Sequence, residues 1–250
     1  MKIENDGLKI EEVRRGVRGI VDERDVSQAR TVYYALDHAP ARTRLSLLRG
    51  DDGRALGFVA ACVTGMNPFQ PVVVFQAEDE VQADLLFADG LGVGPGYLFV
   101  AEAKWAAFLE GRLKAKAAFS RIFVLEPGRL QPVVNVFVRT NRGADGSPQA
   151  TIDAQGRTVA RAGVNWQGAR FAELYAIVDP AARGREWGRS VLSAVAQAVQ
   201  SRGARPLLYV PQDGPDAAEL ADAALKLGFT DSGRMALQIA GALAPVQPTP

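Results

Sequence analysis

Residues 173–192 read Glu173-Leu-Tyr-Ala-Ile-Val-Asp-Pro180-Ala-Ala-Arg183-Gly184-Arg185-Glu186-Trp187-Gly188-Arg189-Ser190-Val-Leu192. The apolar run up to Val178 is a buried strand, and Asp-Pro ends it. A helix is predicted from about Gly184 to Arg202, because Val191, Leu192, Val195, Ala198 and Val199 recur on one face. A strand, a loop rich in Arg and Gly, and a long helix put unpaired backbone N–H groups at the helix start, where an anion such as a pyrophosphate is held. Gly184 and Gly188 permit close backbone approach, and Arg183, Arg185 and Arg189 add charge-assisted contacts. An ordinary strand-to-helix connection with a solvated basic rim fits the same residues.

Working outward, Ala150–Asp153 and Thr158–Asn165 form a hairpin around residues 154–157, and Trp166-Gln167-Gly168 is read as the turn into the strand Phe171–Val178. Downstream come a strand at Pro206–Val210, a helix at Asp216–Leu227 and a strand at Met235–Ile239; the helix carries a capping box (Asp216 with Glu219) and stops at Gly228. Strands at Ser120–Leu125 and Val133–Arg139 and a polar loop at Asn141–Pro148 precede the hairpin, and the tail Pro245–Pro250 is expected to be disordered.

The first half has a similar order. A helix at Asp25–His38 ends in the only histidine, read as a surface residue. A hairpin, Arg44–Leu48 and Ala55–Val63, turns at Gly50-Asp51-Asp52-Gly53; then follow the run Pro71–Gln76, a helix at Glu78–Ala88, a connector with Gly90, Gly92, Gly94 and Gly96, a strand at Tyr97–Val100 and a helix through Trp105 and Leu109. The parallel points to an internal repeat, with domains at 1–120 and 121–250 and α/β (α+β) folds. Where the second half has arginines and glycines, the first has Ala77-Glu78-Asp79-Glu80, whose carboxylates repel an anion.

With 29 Lys and Arg against 28 Asp and Glu in 250 residues, the net charge of +1 provides no global attraction to nucleic acid or an anionic membrane. Cys62 is the only cysteine, which excludes an internal disulfide framework and a thiolate zinc cluster; it is read as a small core side chain, and no metal site is expected. The N-terminal residues lack the apolar core of a signal peptide, and no apolar run approaches the roughly 20 residues that span a bilayer. A cytoplasmic location is the expectation.

Residues 173–192 resemble the central motif of the GNAT superfamily of acyl-CoA-dependent N-acyltransferases, in which a strand is followed by Arg or Gln, two residues, Gly, one residue, and Gly or Ala. Arg183 and Gly188 match its first and last positions, and Glu186 stands in place of the first glycine. The similarity runs from about Ala150 to Ile239 and includes Lys226-Leu227-Gly228-Phe229. It implies a mixed, mostly antiparallel central sheet flanked by helices, here in tandem, with the first half a degenerate copy. It also implies acyl transfer, with acetyl-CoA or another acyl-CoA as donor, to a small-molecule or peptide amine. The backbone of Ile177 and Val178 would pair with the pantetheine arm, and Arg183, Gly184, Arg185, Trp187, Gly188, Arg189 and Ser190 would hold the pyrophosphate. Glu173 would be the general base. Many relatives have a tyrosine as general acid where this chain has Ala224; Tyr175 and Tyr209 are alternatives. A homodimer is compatible with the resemblance, as is a non-catalytic acyl-CoA-binding protein on the same fold.

Overall fold

A computed structural model describes residues 2–4, 10–65, 67–91, 96–133 and 135–243. In chain order the elements are β1 (Lys2–Glu4), α1 (Ile10–Arg18), α2 (Ala29–Val32), β2 (Thr43–Arg49), β3 (Ala55–Cys62), β4 (Val72–Gln76), α3 (Glu80–Gly90), β5 (Tyr97–Glu102), α4 (Ala106–Leu113), β6 (Ala118–Val124), β7 (Arg139–Arg142), β8 (Pro148–Ala154), β9 (Arg157–Gln167), β10 (Phe171–Val178), α5 (Trp187–Gln200), β11 (Arg205–Pro211), α6 (Ala217–Lys226) and β12 (Thr230–Gly241). Two compact units emerge, Met1–Phe119 with Met235–Pro250, and Ser120–Arg234. The described residues from Met235 to Leu243, assigned from sequence to the second domain, therefore lie with the first. No helix among the described residues is long and apolar enough to cross a membrane.

In the first unit β1 to β4 are antiparallel neighbours, β4 and β5 run parallel at Val72 and Val73 against Leu98 and Phe99, and the end of β12 lies antiparallel to β5 from Ala236 to Gly241. The helix expected at Asp25–His38 is composite: a 3-10 turn at Val26–Gln28, α2, and a π turn at Tyr33–Asp37. His38 is buried rather than on the surface, with Nδ1 2.8 Å from Thr43 Oγ1 and its ring against Tyr33 and Tyr34. Cys62 is wholly buried, and burial pushes its thiol pKa up to about 12, which suits a core side chain. At α3 the Asp79 carboxylate accepts from the Gln82 amide at 2.8 Å, so the chain's own anion fills the helix N-terminus. Of the glycines in the connector, Gly92 and Gly94 lie outside the described residues, as does the tail Pro245–Pro250.

In the second unit the neighbours run β6, β11, β10, β9, β8, β7, and among these pairs of described residues only β10 with β11 is parallel. Their parallel register covers Phe171, Ala172 and Glu173 against Arg205, Pro206 and Leu207. Both strands then run on, to Val178 and Pro211, with β11 paired to β6 and β10 to β9, so they splay apart beyond Glu173. The helix α5 packs Val191, Val195, Ala196 and Val199 into a core shared with Phe123, Leu174 and Leu227.

Several boundaries differ from expectation. Residues 133–139 form no strand before Arg139 among the described residues, because the short β7 takes the edge position beside β8 through Arg139–Arg142. Trp166 and Gln167 belong to β9, with the turn displaced to residues 168–170. The last strand, β12, is longer than read. Its beginning lies in the second unit, where the hydroxyls of Thr230 and Ser232 donate to Val124 and Ile122 carbonyls of β6.

Candidate functional site

Between the end of β10 and α5 the chain makes a capped 3-10 turn, with Asp179 accepting from the Ala181 amide at 2.9 Å, and then two left-handed residues, Gly184 (φ 77°) and Glu186 (φ 59°, ψ 12°). Those two conformations interrupt a right-handed helix, so α5 starts at Trp187 and not at Gly184. Glu186 is the N-cap residue but its side chain accepts no capping bond from a backbone amide of the helix. The first turn-to-turn bond runs from Ser190 N to Glu186 O at 3.1 Å, which leaves the Trp187, Gly188 and Arg189 amides ahead of it facing outward. They open on a cavity of about 510 Å³ inside the second unit. Its walls are the end of β10 (Ala176, Ile177, Val178), the loop and first turn of α5 from Arg183, and one face of α6. Gly188 passes so near β10 that a Cβ there would sit 3.1 Å from Val178 Cγ2, which is why the helix start can approach the strand end.

Of the residues assigned to cofactor binding, Ile177 and Val178 for the pantetheine arm and Arg183, Gly184, Trp187, Gly188 and Arg189 for the pyrophosphate line this cavity, and Arg185 and Ser190 do not. The exposed Arg185 guanidinium lies over the Trp187 ring at 5.0 Å. Ser190 is buried, its hydroxyl donating to Asn135 Oδ1 at 2.7 Å, while Asn135 Nδ2 donates to the Arg185 carbonyl at 3.3 Å. Asn135 thus fastens the loop to the helix, a role with no signal in the sequence around it.

The α6 wall was missed by sequence reasoning. Asp216, Glu219, Leu220, Ala223 and Lys226 recur at helical spacing and line the cavity, a pattern that marks one helix face. Asp216 and Glu219 had been read as a capping box, yet the Asp216 side chain caps nothing: Arg183 Nη1 and Nη2 reach its two oxygens at 3.3 and 3.4 Å, and that contact draws the carboxylate away from the helix end. Arg189 pairs with Glu186 at 2.6 Å, and Lys226 with Asp222 at 2.7 Å.

Glu173 is outside the cavity, at the last parallel-paired position before β10 and β11 diverge, and is buried. The register against β9 shifts there: Glu173 faces Trp166 and Leu174 faces Val164, leaving Asn165 as the extra residue of a bulge. The bulge brings two donors to one carboxylate, Asn165 Nδ2 to Oε1 at 2.8 Å and Trp166 Nε1 to Oε2 at 2.5 Å. Tyr175 lies over Gly163, where an added Cβ would be 2.8 Å from its hydroxyl, and Ala224 is fully buried in the core. Tyr209 is on β11, outside the cavity.

No family model and no curated protein matches this sequence. Solved structures do match in fold. A GCN5-related N-acetyltransferase-like protein from Streptococcus suis superposes with a TM-score of 0.63 at 10% identity, over 93% of this chain and 100% of the other. A GCN5-related N-acetyltransferase from Sphaerobacter thermophilus gives 0.63 at 11%, over 99% and 98%. A tandem GNAT protein from the clavulanic acid biosynthesis pathway gives 0.58 at 12%, over 98% and 100%. The splayed parallel pair and the open helix start are thus set in a chain whose fold is that of the GNAT acetyltransferases, in tandem form.

Proposed function

We propose that the second unit is an N-acyltransferase that moves an acyl group, acetyl being the expected one, from an acyl-CoA to the amine of a small molecule or peptide. The observation that carries this is the cavity at the α5 N-terminus, where first-turn amides face outward beside the free end of β10. Those amides and the N-terminal end of the helix dipole suit a phosphate, and the Ile177 and Val178 backbone on the splayed side offers hydrogen bonds to an extended pantetheine arm. The amine nitrogen then attacks the thioester carbonyl, the C–N bond forms, the C–S bond breaks and the thiol leaves with a proton.

The amine must attack unprotonated. With a pKa near 10, about one molecule in a thousand is free base at pH 7, a handicap of roughly 4 kcal/mol. Glu173 is assigned the role of proton acceptor, directly or through one water: the N–H groups of Asn165 and Trp166 orient its carboxylate at the point where β10 and β11 diverge. The test joins a thiol-release assay against an amine panel with calorimetric titration of the donor. Glu173→Gln is expected to lower turnover by about 10²- to 10⁴-fold and to leave donor affinity nearly unchanged; a variant with the wild-type pH–rate profile removes Glu173 from the mechanism.

The second reading is binding without transfer, favoured by Glu186 in place of a glycine and by the buried Ala224 where relatives use a tyrosine. Saturable donor binding with no thiol release against any amine would establish it.

A further inference from the structure

The charges around the cavity do not match a polyanionic ligand. Its wall carries the cations Arg183, Arg189 and Lys226 and the carboxylates Glu186, Asp216, Glu219 and Asp222. Each cation is already paired: Arg183 with Asp216, Arg189 with Glu186, Lys226 with Asp222. Glu219 makes no ion pair among the described residues, so the wall has one negative charge in excess. Just outside the wall, Arg185 is the loop cation with no carboxylate partner among the described residues, its guanidinium exposed over Trp187. The supply of positive charge is therefore one guanidinium plus the first-turn amides of α5, enough for a single phosphate. A ligand bringing three phosphates has to break ion pairs or face carboxylates.

We propose that this site reads the 4′-phosphopantetheine thioester alone, and that the α6 carboxylates Glu219 and Asp222 select against the 3′-phosphorylated nucleotide end of CoA. The inference rests on the acyl-transfer reading above and replaces its acyl-CoA donor by the phosphopantetheine thioester that acyl-CoA contains. Pantetheine gains the strand-end backbone of Ile177 and Val178, its phosphate gains Arg185 and the α5 amides, and the remaining phosphates of CoA gain nothing that is not already paired. The same arm occurs free, as in phosphopantetheine, and attached to a carrier protein.

Calorimetric titration of the full chain with acetyl-CoA, acetyl-dephospho-CoA and S-acetyl-4′-phosphopantetheine at one ionic strength tests this. The expected result is that acetyl-phosphopantetheine binds at least as tightly as acetyl-CoA. The double change Glu219→Gln, Asp222→Asn should tighten acetyl-CoA at least threefold more than it tightens acetyl-phosphopantetheine, whereas Arg185→Ala should weaken all three ligands alike. Acetyl-CoA binding tenfold tighter than acetyl-phosphopantetheine in the unaltered protein overturns the proposal, as does a ratio that the double change fails to move. If none of the three binds a protein that circular dichroism shows to be folded, the acyl-donor reading itself falls and takes the proposal with it. A final arm presents the acetylated group on an acyl carrier protein: binding tighter than that of the free arm makes the carrier the source, weaker binding makes it the free thioester, and either result is a form of the proposal.

Discussion

Glu186 combines two faults in one side chain, and two substitutions separate them. Its backbone is left-handed at φ 59°, ψ 12°, a conformation that costs a residue with a Cβ about 1–2 kcal/mol. Glycine removes that strain but adds about 0.5–1 kcal/mol of chain entropy lost on folding, a net gain of about 0.5–1 kcal/mol over any non-glycine residue. Both Glu186→Gly and Glu186→Ala also delete the half-exposed pair with Arg189, which contributes no more than about 0.5 kcal/mol. The glycine variant should thus match or slightly exceed the wild type in stability, and the alanine variant should fall below the glycine one by about 0.5–1 kcal/mol, roughly 1–4 °C in Tm for a chain of this size. Donor binding responds to charge alone: both variants free Arg189 and remove a carboxylate beside the open amides, so affinity for a phosphate-bearing thioester should rise about three- to tenfold in each. Urea denaturation and calorimetry read the two effects separately. Equal stability of the alanine and glycine variants would refute the strain argument, and unchanged affinity in both would refute the charge argument.

Two further outcomes are expected. Gly228→Ala should destabilise the chain by more than about 2 kcal/mol, measured as a urea midpoint, because φ is 94° there and an added Cβ would lie 1.9 Å from the Arg129 carbonyl oxygen; a loss under 0.5 kcal/mol would contradict the geometry. His38 has its pKa held below the ordinary 6.5 by burial first and by Arg14 and Arg42 second, so the unfolded chain takes up the proton first. Stability should be constant above about pH 7 and fall as pH drops through 6.5 toward the lower folded value; a His38→Gln variant should lose that slope between pH 7.5 and 5, and a slope that persists would assign it elsewhere.

The elements that carry the second unit were legible because their signals are local. The run Phe171–Val178 has the bounds of β10 as built, and the apolar period of 191–199 is the buried face of α5. What escaped detection depends on partners distant in sequence. His38 looked exposed because the local sequence does not show the chain folding Tyr34 and Thr43 back onto its ring, and Arg14, 24 residues away, donates to its carbonyl. Asp216 carries the sequence signature of a cap, and only the fold reveals that Arg183, 33 residues away, claims its carboxylate. The bulge that delivers Asn165 and Trp166 to Glu173 is a register event between two strands, and neither strand encodes it alone. The left-handed Glu186 was visible only as a departure from a glycine pattern, with no hint of its backbone conformation.

The assignment of the chain's last strand has a consequence for biosynthesis. In the first unit β5 has β12 as its antiparallel neighbour, and Leu237 and Ile239 are buried in that unit's core. A ribosome emits these residues only after all of Ser120–Arg234. While the second half is being made, the first half waits with the Tyr97–Glu102 backbone lacking that partner and with the Leu237 and Ile239 positions in its core unfilled, a state that invites pairing with a foreign strand. The half synthesised first is therefore the half completed last. A stop codon near residue 230 should leave an aggregation-prone first unit, although no residue of Met1–Phe119 has been removed.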